Sequence, residues 1–487
     1  MEPIHILLLM AAYFGLLIFV AQFTTKTSDN ATFFTGNRQS PWYAVSFGMI
    51  GASLSGVTFI SVPGWVGVSK MAYIQMVMGY MVGYAVVALV LLPLYYRLNL
   101  VTIYTYLRSR LGEVSYRTGA WIFFVSRMIG SSFRMFIVAN VLQFAVFDSL
   151  GIPFWLTTSL TLMLIWVYTF KGGIKTIVWT DTLQTAFMLG AVALTVIILK
   201  EQVVPAGESL WSHLVTHENT RIFFFDDAAS PNYFWKQFLA GIFITVCMTG
   251  LDQDMMQKNL TCKNIGDAQK NMLWFSITLF FVNVLFLTLG VLIYDFAALE
   301  GMQQTADALF PAIALGGYLP WMVGALFITG LIAAAYSSAD SALAALTTSF
   351  CVDILDIEKL DDKKALSLRR WVHVGMTVTM ALVIVVFRYT LDESVVSAVF
   401  TAAGYTYGPL LGLFAFALLT PWQVRSWGVP LAAILSPLIT YGLQAHSMEW
   451  FGYTFSFELI ALNGLIMFLL MVLLAKKANT PSPVKAE

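Results

Sequence analysis

Residues 48–61 read GMIGASLSGVTFIS, in the middle of an otherwise apolar segment that runs from 42 to 67. A helix crossing lipid must satisfy its own backbone. Gly48, Gly51, Ala52, Ser53, Leu54, Ser55 and Gly56 in midspan therefore predict a helix that breaks inside the bilayer, where freed carbonyls can ligate a cation. The same small residues also let helices pack closely. Five spans later the segment 236–257 carries Gly241, Thr245, Thr249 and Gly250. Discontinuous helices in corresponding positions of two halves point to a midplane site between inverted repeats.

The rest of the chain supports a membrane reading. Of 487 residues 59% are hydrophobic and only 11% charged, against about 25% charged in a soluble domain. The apolar residues fall into about thirteen segments long enough to span: 4–23, 42–67, 71–96, 116–148, 152–170, 177–199, 236–257, 270–298, 319–352, 369–388, 395–419, 428–445 and 455–475. None alternates as a barrel strand would, so the expected class is an all-α polytopic membrane protein. With the N-terminus outside, nineteen basic residues fall on inner loops, Lys258, Arg369 and Arg370 among them. Only Lys70, Lys200, Arg221 and Arg388 fall outside. That asymmetry predicts an outer N-terminus and a cytoplasmic C-terminus. The first segment reads as a retained helix rather than a signal peptide.

Residues 200–235 form the one long loop. Its His213 and His217, four apart, could suit a metal, but a solvated polar loop is the plainer reading. Residues 353–370 are expected as an inner amphipathic linker and the chain beyond Lys476 as a polar tail. Cys247, Cys262 and Cys351 give no disulfide framework. The absence of a GxxxxGK[ST] phosphate cradle excludes ATP-driven transport by this chain, and no nucleophile–base pair or metal cluster marks an enzyme. Nothing in the charge pattern points to nucleic acid.

Charges within spans need a reason, since each costs roughly 2.5–3.5 kcal/mol at the bilayer centre. Asp181 lies near the start of the sixth segment; Asp340 lies deep in the ninth, with Ser337, Ser338 and Ser341 on overlapping faces. Hydroxyl, carboxylate and carbonyl oxygens are hard ligands for a small cation. Alternatively the serines bond back to their own helix and Asp340 pairs with a base. Arg127 and Arg134 are seven apart on one face. One suits a buried carboxylate and the other a substrate, and spacing does not say which.

In order, Phe33-Phe34-Thr35-Gly36-Asn37-Arg38, Ser53 to Ser61, Gly172-Gly173-Ile174, Trp179-Thr180-Asp181, Asp252-Gln253 with Gln257-Lys258, Ala334 to Ser338, and Gly408-Pro409-Leu410-Leu411-Gly412 resemble the sodium:solute symporter family. The resemblance runs from about Phe33 to Gly412. It implies a LeuT-type fold of two inverted five-helix repeats, 42–199 and 236–419. An extra helix and inner loop (1–41) precede them, the outer loop 200–235 separates them, and two helices and a tail (420–487) follow. It implies Na+ as coupling ion, bound by Gly51, Leu54 and Ala334 carbonyls with the Ser337 and Ser338 hydroxyls. A second cation set is implied at Asp181, Asp340 and Ser341, where Asp340 stands in place of a hydroxyl. The substrate set carried over is Ser53, Ser55, Thr58, Arg134, Met248 and Thr249, with Met78 where relatives have glutamine and Gln75 close by. The aromatic residues that stack on hexose have no counterpart in Val246-Cys247-Met248-Thr249. The expectation is a monomeric, multi-pass symporter of the plasma membrane (a bacterial inner membrane) importing a small polar solute. That solute bears a carboxylate, sialic acid being one candidate. The rivals are a proton-coupled symporter, a neutral sugar or polyol substrate, and a non-transporting sensor or channel.

Overall fold

The computed structural model describes residues 3–24, 29–304, 306–390 and 395–476. Lys26, Lys477 and Lys485 of the basic set, and the polar tail past Lys476, lie outside the described residues. Thirteen apolar helical segments follow one another: α1 (Pro3–Thr24), α2 (Trp42–Ser53, then Gly56–Ser69), α3 (Tyr73–Arg97), α4 (Glu113–Phe147), α5 (Phe154–Gly172), α6 (Ile174–Val203), α7 (Phe234–Gly250, then Gln253–Asn259), α8 (Ile265–Leu299), α9 (Trp321–Ile354), α10 (Asp362–Thr390), α11 (Val395–Leu419), α12 (Gly428–Phe451) and α13 (Leu459–Leu473). Among the described residues nine helices, or eleven counting the two bent pairs, are long and apolar enough to cross a membrane. Two of the thirteen expected segments are shorter helices. Leu459–Leu473 has 15 residues and rises only about 22 Å, short of the ~30 Å hydrocarbon layer.

The most buried span, α9, is built largely from small residues. α9 runs Ala333-Ala334-Ala335 and Ala344-Ala345 between its serines, and every residue from Gly330 to Ser349 is buried. α6 packs between α2 and α9, α8 lies behind α2, and α4 sits against α9 and α11. The break in α2 thus faces α6 and α9 at the centre of the molecule. The short helix Asn30–Thr35 packs beneath α6. Gly173, which opens α6, takes φ +49°, and a side chain there would strike the Phe33 ring. Both motifs therefore serve one packing contact.

Three expectations change. The 353–370 linker is largely helical: α9 continues to Ile354, a left-handed residue at Asp356 (φ 49°) turns the chain, and α10 already starts at Asp362. Arg369, counted with the loop charges, is fully buried. It donates to the Asp29 carbonyl and Asn30 Oδ1 and lies 4.5 Å from the centre of the Phe33 ring. Lys258, counted likewise, is 1% exposed. The long loop is not merely solvated either. His213 Nε2 and His217 Nε2 meet the two oxygens of Asp295, on α8, at 2.9 and 2.8 Å. These three side chains lie close enough to share a metal ion. Yet His217 Nδ1 accepts the Asn219 N–H, which puts its proton on Nε2, the atom a metal would require bare. The cluster is a hydrogen-bonded clasp.

Candidate functional site

The two halves of α2 meet at 60°. Leu54 (φ −86°, ψ 87°) and Ser55 (φ −76°, ψ 175°) leave helical geometry. The last carbonyls of Trp42–Ser53 and the first N–H groups of Gly56–Ser69 therefore lose their intrahelical partners. One helix end concentrates partial negative charge and the next partial positive charge, side by side in the middle of the protein. Across from the break, Ser338 Oγ donates to the Ala52 carbonyl at 3.4 Å and Ser337 Oγ donates to Asp181 Oδ1 at 2.6 Å. On α6, Thr185 Oγ1 accepts the Gly51 N–H at 3.0 Å and donates to the Asp181 carbonyl. A Cβ at Gly51 would run into Thr185 Oγ1 and come within 3.2 Å of Ser337 Oγ. Gly51, Leu54, Ala334, Ser337 and Ser338 are thus drawn from helices that pack together here, and all five are buried.

The second break differs. The halves of α7 bend by 68°, but two of the carbonyls freed there are taken by tyrosines. Tyr95 donates to Gly250 O at 2.9 Å and Tyr104 to Leu251 O at 3.0 Å. Asp252 Oδ1 accepts the Asp254 N–H at 2.9 Å, and its Oδ2 accepts from Tyr407 at 2.5 Å. Gln253 joins the Ile103 N–H and the Val101 carbonyl. Of the two breaks, the one in α2 has carbonyls to spare for a ligand, and the one in α7 is sewn to its surroundings.

Asp181 and Asp340 are both fully buried. Lys258 Nζ sits 2.6 Å from Asp181 Oδ2, so the Asp181 carboxylate is filled by Ser337 on one oxygen and an ammonium on the other. Reading the sequence missed Lys258. At the edge of an apolar segment it looked like a loop charge, and the bend in α7 that carries it inward is not written in its neighbours. Asp340 Oδ2 accepts from Tyr168 at 2.8 Å, while Oδ1 has no partner among the described residues. The basic partner considered for Asp340 is not within hydrogen-bonding distance. Ser341 turns back to the Ser337 carbonyl at 2.8 Å and lies 3.4 Å from Asp254 Oδ2. The second cation set is therefore not gathered round Asp181 by direct bonds.

The two arginines separate. Arg127 is ion-paired to Asp254 and lies 3.6 Å from Asp252. Removing one partner of such a buried pair costs about 3–5 kcal/mol, so Arg127 braces the bend of α7, although it also lines the cavity beside the α2 break and its Nε has no partner among the described residues. Arg134, two turns further along α4, makes no ion pair or hydrogen bond among the described residues and lines the cavity beside the α2 break. Ser53, Ser55, Thr58, Met248 and Thr249 line it too. Gln75 and Met78 do not. Gln75 Nε2 donates to Asn232 O at 2.9 Å and its Oε1 accepts the Phe224 N–H at 3.1 Å, which pins the 200–235 segment to α3. The cavity face of α3 instead carries Tyr73, Tyr80 and Tyr84, spaced seven and four apart on one helical stripe. Gln75 and Met78 fall on the opposite face. That stripe, in its seven-and-four spacing, is a pattern the sequence itself displays. It also gives the cavity aromatic walls, which the 246–249 stretch alone did not predict. Asn283 on α8, likewise missed, lines the same space, and its buried Oδ1 has no partner among the described residues.

Comparison with known proteins adds the lineage. The profile of the sodium:solute symporter family matches residues 33–425. The human sodium/iodide cotransporter is 23% identical over 431 residues, covering 85% of this chain and 65% of that protein. A sodium-coupled monocarboxylate transporter 2 from Danio rerio is 23% identical over 418 residues, 84% of this chain and 66% of the relative. The chain thus spans just under two thirds of those two proteins. The sodium/sialic acid symporter NanT of Aliivibrio fischeri is 24% identical over 431 residues, 84% of this chain and 81% of that one. Among solved structures, a Na+-coupled sialic acid symporter in a substrate-bound outward-open state superposes with TM-score 0.81 at 17% identity, covering 97% of this chain and 99% of that chain. Mhp1, a nucleobase-cation-symport transporter, gives 0.58 at 12% identity, covering 92% and 94%. The LeuT-type architecture follows from these superpositions.

Proposed function

The chain belongs to the sodium:solute symporter family, and on that premise we propose that it is a sodium-coupled secondary symporter for a small, carboxylate-bearing polar solute. The observation that carries the reading is the α2 break itself. Spare carbonyls and the Ser337 and Ser338 hydroxyls lie on one side of it, and the unpaired Arg134 lies in the cavity on the other. Sodium is held by the Gly51, Leu54 and Ala334 carbonyls with the two serines. These ligands belong to two different helices, so the ion favours the arrangement in which α2 and α9 are apposed. A ligand moves such an equilibrium only by its differential affinity for the two states. The solute carboxylate meets Arg134, whose planar fork suits it, near the first N–H groups of Gly56–Ser69. Ser53, Ser55 and Thr58 orient the rest of the molecule, with Met248, Thr249 and the tyrosine stripe as walls. A second cation sits at Asp340, whose free Oδ1 needs a counter-charge. It shares the buried polar region with the Asp181–Lys258 pair and Ser341. The two repeats are 42–199 and 236–419. The protein works as a monomer in the plasma membrane with its N-terminus outside and its C-terminus in the cytoplasm.

The test is uptake into proteoliposomes of labelled acids, sialic acid and short monocarboxylates among them. Replacing Na+ by choline, or both Ser337 and Ser338 by Ala, abolishes accumulation. Arg134→Ala raises the KM for acids at least tenfold, about 1.4 kcal/mol, with less effect on neutral solutes. Accumulation indifferent to choline overturns the sodium reading. An unchanged acid KM in Arg134→Ala overturns the carboxylate alone.

A further inference from the structure

We propose that a groove between α5 and α10 is a binding site for one anionic glycerophospholipid, separate from the transport cavity and independent of the function proposed above. The groove measures about 430 Å³ and is walled by Trp155, Leu162 and Trp166 on one helix and by Val374, Ala381 and Val385 on the other. Its two hydroxyl groups are already used, Ser159 bonding the Trp155 carbonyl and Thr377 the His373 carbonyl. The walls are therefore mainly hydrocarbon and aromatic surface, with the indole N–H of Trp166 left without a partner among the described residues. α10 is among the least covered spans, with 28% of its apolar window buried, so the groove opens towards lipid.

Any span is wetted by lipid; the ends set this groove apart. Helical spacing continues its α10 wall from 381, 378, 377 and 374 to Arg370, and its α5 wall from 155, 159, 162 and 166 to Phe170. There the Arg370 guanidinium lies 5.4 Å from the Phe170 ring centre, within the range of a cation–π contact. It makes no ion pair with a described carboxylate. At the other end Arg388 sits 5.4 Å from the Phe154 ring and bonds Asn140 Oδ1. Eighteen residues of helix separate the two arginines, about 27 Å, close to the ~30 Å hydrocarbon thickness. Each guanidinium thus stands at a headgroup level with the apolar groove between them. Lys363 and Lys364 share the Arg370 end with Asp361 and Asp362, which offset them, Asp361 lying 3.2 Å from Lys364, so Arg370 is the basic group left over there. Arg388 already donates to Asn140 Oδ1, so the phosphate belongs at Arg370. An acyl chain of the same molecule runs along Trp166, Met163 and Trp155.

Native mass spectrometry of the full chain tests this, after detergent extraction and exchange into phosphatidylglycerol or phosphatidylcholine of identical acyl chains. The parent should retain a single phosphatidylglycerol in preference to phosphatidylcholine, by about fivefold or more for the one guanidinium. Arg370→Gln should bring that ratio near one. Ala381→Trp, which fills the groove, should remove the adduct of either lipid. Thermal unfolding of both variants against the parent reports whether they are folded, and Arg370→Gln, being at an exposed site, keeps the test open should Ala381→Trp unfold. Equal retention of the two lipids by the parent overturns the proposal. So does a selectivity ratio unmoved by Arg370→Gln, or an adduct on folded Ala381→Trp equal to that of the parent.

Discussion

At the scale of single residues, the Asp181–Lys258 contact has the most consequence. Two opposite charges in a dry interior are strongly destabilising to separate, because whichever is left stands unpaired. Lys258→Met should therefore lower stability by about 3–5 kcal/mol, while the double variant Lys258→Met, Asp181→Asn should recover much of that loss. Thermal or chemical unfolding of the four proteins of this cycle measures the coupling. Strict additivity would mean that the two side chains do not depend on each other. The contrast with Arg134 is instructive. Arg127 and Arg134 are indistinguishable as letters on one helical face, and only the bend of α7, which swings Asp252 and Asp254 towards Arg127, decides which guanidinium is left for a ligand. The order of the chain does not contain that choice, since the partners lie more than a hundred residues away.

At the scale of elements, the two breaks were legible as breaks and not as different things. Gly51 to Gly56 and Gly241 to Gly250 carry comparable small-residue signatures. What distinguishes them is a set of tyrosines, Tyr95, Tyr104 and Tyr407, brought from α3, the following segment and α11 to occupy the second one. Two substitutions separate the roles. Gly51→Ala places a methyl group against Thr185 and Ser337, and should abolish sodium-induced thermal stabilisation while leaving a folded protein. Tyr104→Phe strands a buried carbonyl, which costs about 1–3 kcal/mol. It should lower the unfolding temperature in the presence and absence of sodium alike. A sodium response lost in Tyr104→Phe and kept in Gly51→Ala would reverse the assignment. The tyrosine stripe on α3 is the opposite case: the seven-and-four spacing of Tyr73, Tyr80 and Tyr84 is legible in the sequence, and the cavity takes that face rather than the one bearing Gln75 and Met78.

At the scale of the whole molecule, the helical, multi-span class followed from composition because lipid permits so few alternatives, whereas nine to eleven of the described helices, not thirteen, are long and apolar enough to cross. The clasp of the 200–235 segment onto Asp295 and Gln75 did not follow from composition, since loops declare their anchors only in three dimensions. Charge movement tests the cycle as a unit. If Asp340 carries a second cation, uptake of a monovalent acid moves one net positive charge inward, worth about 2.3 kcal/mol per 100 mV. An imposed interior-negative potential should then accelerate uptake by the parent and leave Asp340→Asn, still sodium-dependent, insensitive to voltage. A parent indifferent to voltage would limit the cycle to one ion per acid. The unequal breaks bear on how such a cycle moves. With α7 stitched at its bend to α3 and α11, and α2 held at its break by fewer side-chain bonds, the bend in α2 is the freer fulcrum of the pair. Opening and closing the cavity becomes a lopsided stroke in which one lever swings against a fixed post, so spectroscopic distances measured from Gly56–Ser69 should change between sodium-loaded and sodium-free protein far more than those measured from Gln253–Asn259.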